Sequence, residues 1–215
     1  LNIVPEDRGA KNQRRSATVV VLCRNNEGYR NLCILLSRAY LDSPSTVPTP
    51  RVDRALLKEY SGGLLGMSGS LSGEIPQELL AGRGDAAREL ARFYGDLFGK
   101  GHFFLEIVRN GIKEQDQVNG QLVAMSEELG LPLVATADAH YNSQDEAAAH
   151  EVLMCIQLGK SLPSLSTRAR LTDQMHLGTA QEMEERFSDL PVAVSNTQVI
   201  ADMCDVDLEL GNVFL

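Results

Sequence analysis

Four short apolar runs, each followed by a segment of helical period, constrain the fold of this chain more than any other feature. Residues 17–23 (ATVVVLC) form a β-branched run of strand length. After the NNEG turn, Tyr29, Leu32, Cys33, Leu36 and Tyr40 recur at helical spacing. The stretch SPSTVPTP, residues 43–50, is too rich in Pro, Ser and Thr for regular structure and reads as a surface loop, with Asp53 placed to cap a short helix after it. Residues 63–67 (GLLGM) make the second run; Gly69 and Gly73 permit tight turns beyond it, and Pro76 suits a helix start. Asp85 is expected to cap a helix with Ala86, Leu90, Phe93 and Leu97 on one face, and HFFLEIVR supplies the third strand. Val118, Leu122, Met125 and Leu129 mark the next helix, closed by Gly130. The fourth strand spans 132–136. Ser143 with Glu146 and Thr179 with Glu182 have the spacing of capping boxes, and the last 25 residues before LELGNVFL read as one more helix. Strand followed by helix, repeated, predicts an α/β fold with right-handed crossovers and a parallel sheet, open or closed into a barrel.

Several chemistries are disfavoured. The first strand is not followed by G-x-G-x-x-G, no phosphate-binding P-loop is present, and GMSGS falls short of a G-x-S-x-G nucleophile elbow. The formal net charge of −9 argues against wrapping of duplex DNA by this segment. The local exception, Arg8, Lys11, Arg14 and Arg15, lies in a stretch without apolar period and reads as a solvated loop or, second, a phosphate contact. No run approaches the roughly 18 apolar residues of a membrane span, so a soluble, cytoplasmic protein with no membrane partner is expected. Cys23, Cys33, Cys155 and Cys204 are far apart in apolar segments and read as buried reduced thiols. The chain begins LNIVPEDRG with neither Met nor a signal-like core, which suggests a piece starting inside a larger protein.

The chemistry concentrates where LPLVAT runs into Asp138 and His140. Residues at i and i+2 share one face of a strand, and the C-terminal ends of strands are where α/β folds hold their sites. A carboxylate beside an imidazole suits a divalent metal or an acid/base pair. On spacing alone it suits better a turn in which Asp138 caps and His140 hydrogen-bonds, since two ligands cannot complete a four-coordinate centre. Glu106, opposite Leu105 on its strand, is expected to point inward or into an ion pair. Glu74 is either a ligand near a rim or a carboxylate at a helix N-terminus. His102, His150 and His176 carry no site signal.

Taken in order, VVVLCRNNEGYRNLCILLSRAY, GGLLGMSGSLSGEIP, FFLEIVRNGIKEQ, LPLVATADAHY, AAAHEVLMCIQLGKSL and EMEERFSDLPVAVSNTQVIADMCDVDL resemble the polymerase and histidinol phosphatase (PHP) region of the bacterial DNA polymerase III α subunits, the C-family replicative polymerases. The likeness runs from about residue 17 onward, and FFLEIVRNG with the ending LGNVFL favours the replicative form over its error-prone paralogue. The resemblance implies a distorted β/α barrel, incomplete here because its opening strands precede Leu1. It divides the chain into a loop at 1–16, a partial PHP domain at 17–190, and a helix and linker at 191–215 leading toward the polymerase core.

In family members that keep the PHP site, clustered His, Asp, Glu and Cys hold two or three metal ions that cleave phosphodiesters. Asp138 and His140 match the family's Asp-x-His ligands as a vestigial pair. Ser70 stands where such members have Cys, and Ala17 where they have His, so these two ligand positions are degenerate; Ala137 replaces a neighbouring Asn. The family's His-x-His pair is expected upstream of Leu1. The resemblance therefore implies a fragment of a replicative DNA-directed DNA polymerase, with no catalytic residue of its own and a structural and docking role toward the other polymerase III subunits, including the proofreading exonuclease subunit. DNA would be held by parts outside this chain, and Mg²⁺ by the polymerase module there. Zn²⁺ or Mn²⁺ would bind here only if the PHP site were active. The rival readings are an active phosphoesterase or 3′-5′ exonuclease, and a pure binding module.

Overall fold

The computed structural model describes residues 1–4, 17–43, 49–162, 172–208 and 211. Its strands are β1 (Asn2–Val4), β2 (Ala17–Thr18), β3 (Val20–Cys23), β4 (Val52–Asp53), β5 (Leu64–Met67), β6 (Phe103–Val108) and β7 (Leu133–Thr136). Its helices are α1 (Asn26–Asp42), α2 (Arg54–Glu59), α3 (Glu74–Leu80), α4 (Gly84–Phe98), α5 (Lys113–Leu129), α6 (Ala147–Leu158), α7 (Ala180–Arg186) and α8 (Pro191–Met203). The result is a mixed α/β fold with two sheets, in the orders β3-β5-β6-β7 and β2-β1-β4.

The larger sheet is not all parallel. β5, β6 and β7 run parallel, with Gly66 opposite Phe103 and Leu105 opposite Leu133, but β3 pairs antiparallel with β5. The reason lies in what separates them. After α1 the chain passes through β4 and α2 and re-enters at the end where β3 finished, so the Arg24 N–H donates to the Gly63 carbonyl at 2.8 Å. The run at 17–23 is accordingly two strands. Ala17 and Thr18 pair with β1, Val20–Cys23 pair with β5, and the buried Val19 between them donates its N–H to the Leu1 carbonyl. Asn2–Val4, expected within a loop, form β1 with Ile3 fully buried. The basic cluster at Arg8, Lys11, Arg14 and Arg15, the middle of SPSTVPTP and most of LELGNVFL lie outside the described residues.

The helical periods are as the sequence expects, but two phases differ. α1 buries Gly28, Leu35 and Ala39 and exposes Tyr29, Cys33, Leu36 and Tyr40. Small residues decide this. A Cβ on Gly28 would lie 1.9 Å from the Gly63 carbonyl oxygen, so this face alone can approach the turn before β5. α4 buries Ala87, Ala91, Tyr94 and Phe98, one residue on from the expected set. Tyr94 and Phe98 stack on Phe103 of β6 with centroids 5.4 and 5.9 Å away. Asp85 is not the cap of α4; it lies inside the first turn, where it pairs with Arg88. α5 is buried through Val118, Leu122 and Met125 and ends at Gly130 in the left-handed region, φ 65°. The expected last helix is two, α7 and α8, interrupted because Phe187 is buried and Pro191 opens the second at its first turn. The capping boxes at Ser143 and Thr179 and the Asp53 cap are present.

One core lies on the face of the larger sheet that α4 and α5 cover, and a smaller cluster of Leu65, Met67, Phe104, Val134 and Ile200 lies on the other. β7 is a sheet edge, and α8 packs on it; Asn196 donates to the Leu133 carbonyl at 2.7 Å, supplying one polar partner that an added strand would otherwise give. All four cysteines are free, but only Cys155 is buried; Cys33 is exposed on α1, contrary to the expectation for a buried thiol. Among the described residues no helix is long and apolar enough to cross a membrane.

Gly28→Ala tests the close approach of α1. It should destabilise the protein by about 1–3 kcal/mol, the usual range for overpacking, through the shift of α1 away from Gly63. A drop in the urea midpoint at unchanged slope measures this; an unchanged midpoint contradicts it.

Candidate functional site

Parallel pairing aligns the C-terminal ends of β5, β6 and β7, and polar groups meet there. Ser68 and Gly69 follow β5, Glu106 lies in β6 opposite Val134, and Thr136 ends β7. Phe104 and Glu106 alternate with Leu105, so Glu106 takes the face away from the main core. Its backbone N–H donates to the Ser68 hydroxyl at 2.8 Å, and the Thr136 hydroxyl and the Gly69 N–H donate to its carboxylate. Its Oε2 is buried without a hydrogen-bond partner. Burial pushes the Glu106 carboxyl above the usual range and nearby Asp138 adds to the rise, while the bonds from Thr136 and Gly69 act against it.

Asp138 and His140 sit just beyond this carboxyl. The strand stops at Thr136 and Asp138 is in the left-handed region at φ 49°, so the two do not share a strand face as the spacing suggests. They nonetheless approach: His140 Nε2 is 3.7 Å from Asp138 Oδ1, with side chains 46% and 37% exposed. The turn that begins α6 brings in His150, whose ring centroid is 5.2 Å from that of His140 and 5.5 Å from that of Tyr141. A separation of ten residues hides that contact in the sequence; the Ser143 capping box, which folds the chain back, is the signal that points to it.

The other expected site residues lie apart from any ligand role. Ala17 is buried in β2 opposite Ile3 and has no donor atom. Ser70 is in the turn after β5, where its carbonyl accepts the Gly73 N–H at 2.7 Å; Ser68, not singled out by sequence reasoning, is the serine that touches Glu106. Glu74 is committed elsewhere: it pairs with Arg54 and accepts the Tyr94 hydroxyl at 2.6 Å. Burial and the Glu74 carboxylate hold the Tyr94 phenol well above its ordinary range. His102 has Nε2 3.0 Å from Arg24 Nη1, and desolvation, then the nearby guanidinium, lower its pKa. His176 is buried and approaches Glu182 at 3.6 Å.

A centre of two or three ions needs more donors than these. Among the described residues no three His, Cys, Asp or Glu side chains are grouped so that they could hold a metal ion. The described residues by themselves therefore do not make up the metal centre that the resemblance implies, and no hydrolytic step follows from them.

Residues 4–110 match the PHP domain family. The chain is also similar to the DNA polymerase III subunit alpha of Campylobacter jejuni, 35% identical over 94% of this chain and 17% of that protein. It is similar to the one of Treponema pallidum, 36% identical over 96% of this chain and 18% of the relative. The one of Thermus aquaticus is 40% identical over 90% of this chain and 16% of its own length. The chain thus spans less than a fifth of the curated relatives it matches.

The raised carboxyl predicts a pH dependence. An unfolded Glu106 titrates near the ordinary value of about 4.3. Its folded form holds the proton to higher pH, so the contribution of the protonated acid to stability is full below the unfolded value and is lost as pH rises through the folded one. Glu106→Gln should remove that loss. Urea unfolding of both proteins should show the variant gaining on the parent as pH rises above the ordinary glutamate value; a gap that stays flat contradicts a raised carboxyl.

Proposed function

Because this chain is a relative of the DNA polymerase III alpha subunits along nearly its whole length and matches the PHP domain over residues 4–110, we propose that it is the PHP portion of such a subunit. In this reading it serves chromosomal DNA replication in the cytoplasm as a structural and subunit-docking module. The observation that carries the reading is that collinear similarity, at 34–40% identity to relatives from many bacteria. The shortage of metal donors around Glu106, Asp138 and His140 supports a degenerate site, with Ala17 and Ser70 as its lost ligand positions.

The proposed architecture is a distorted barrel whose domain takes in β1 at its start and α8 at its end, with a linker beyond α8 leading toward the polymerase core. DNA synthesis, its Mg²⁺ and the grip on DNA belong to that core. The proposed partners are the other polymerase III subunits, the proofreading exonuclease subunit among them, and the replicative rather than the error-prone form is preferred.

Elemental emission on chelator-free full-length protein, with hydrolysis of a model phosphodiester measured in parallel, tests the reading. Substoichiometric zinc and manganese and no hydrolysis are expected. Two or more bound ions with hydrolysis lost in Asp138→Asn would overturn the degenerate site in favour of a metal-dependent phosphoesterase.

A further inference from the structure

Asn110 and Gln115 form a buried polar pair outside the site at Glu106. Asn110 follows β6 and is 0% exposed, and Gln115, in the first turn of α5, is 2% exposed. The Asn110 N–H donates to Gln115 Oε1 at 3.1 Å, and the Asn110 carbonyl accepts the Thr172 hydroxyl. That first bond fixes the Gln115 amide, because turning it would bring a second donor against the Asn110 N–H. Gln115 Nε2 is therefore held beside the Asn110 backbone. It has no hydrogen-bond partner, and neither has Asn110 Nδ2 or Oδ1.

The surroundings hold this arrangement in place. Arg109, one residue earlier, donates to the Arg186 carbonyl at 2.9 Å and pairs with Asp189, while a Cβ on Gly111, one residue later, would lie 3.4 Å from Gln174 Nε2. The end of β6 is thus clamped on both sides by the segments flanking α7. Three polar atoms on two neighbouring buried side chains, fixed in this way, give up their bonds to bulk solvent without a replacement from protein. Buried polar groups of this kind are those that internal water serves, whereas an apolar cavity stays dry.

We propose that an internal water-binding site joins Asn110 and Gln115, with at least one water molecule bridging Gln115 Nε2 and the Asn110 carboxamide. The pair offers donors and an acceptor together and carries no charge. Water donates and accepts and matches that set; an anion would meet the Asn110 Oδ1 lone pairs, and a cation the two NH₂ groups. The water ties the end of β6 to the start of α5 beside the Thr172 contact.

A crystal structure of the full-length protein, at a resolution that shows ordered solvent, tests the site directly. Density for a water within hydrogen-bond distance of Gln115 Nε2 and of an Asn110 side-chain atom is expected. Density in which these amides bond only to protein groups, or to nothing, overturns the proposal. Asn110→Leu gives a second readout: loss of a water-bridged amide lowers the midpoint of thermal unfolding, whereas removal of an unsolvated amide raises it and overturns the proposal.

Discussion

The parallel pairing of Leu64–Met67, Phe103–Val108 and Leu133–Thr136 is the constraint from which the rest of the site follows. It fixes Ser68, Gly69, Glu106 and Thr136 at adjacent strand ends, and it buries a carboxyl that chain chemistry alone would leave in water. The carboxyl is tolerated because two donors, Gly69 N–H and the Thr136 hydroxyl, reach it and because it keeps its proton more readily than an exposed glutamic acid. Asp138, in an uncommon backbone conformation for a residue with a side chain, is placed near it without extending the strand.

On the main core side, different interactions hold the sheet in position. Arg54, Glu74 and Tyr94 tie α2, α3 and α4 into one polar connection beneath the aromatic stack on Phe103. Arg109, bonded to Asp189 through both terminal nitrogens and lying over the Phe187 ring at 5.1 Å, ties the end of β6 to the break between α7 and α8. The exposed ion pair adds little by itself; its planar geometry and the buried ring make it a positional lock. These locks explain why Glu74, a candidate ligand by sequence, is occupied by the fold.

Periodicity made the helices and strands legible, and capping chemistry located Asp53, Ser143 and Thr179 close to their observed roles, while the Asn25 cap of α1 was not anticipated. Phase was harder to read. In α1 and α4 the buried face is chosen by Gly28, Ala87 and Ala91, whose small size admits a neighbour, and a pattern weighted by large apolar residues selects the adjacent stripe. The antiparallel β3 escaped for a related reason: β4 and α2 are too short to announce the extra reversal that they make. Asp138 and His140 were found through a strand-face argument that the backbone at Asp138 does not obey, although the side chains come together. Glu106 was readable only as a charge within a strand. Its partners, Ser68, Gly69 and Thr136, come from other strand ends and leave no mark in local spacing.

The picture that unites these observations is of strand ends that bring together one buried acid and an Asp-His pair, with no group of three metal-ligating side chains among the described residues. Carbon-13 NMR of the side-chain carboxyls, with Glu106 assigned by its loss in Glu106→Gln, tests this most directly. A Glu106 signal that titrates above the ordinary glutamate range and stays unmoved when zinc or manganese is added is expected. A signal that titrates like an exposed glutamate, or that shifts or broadens at stoichiometric metal, would contradict it.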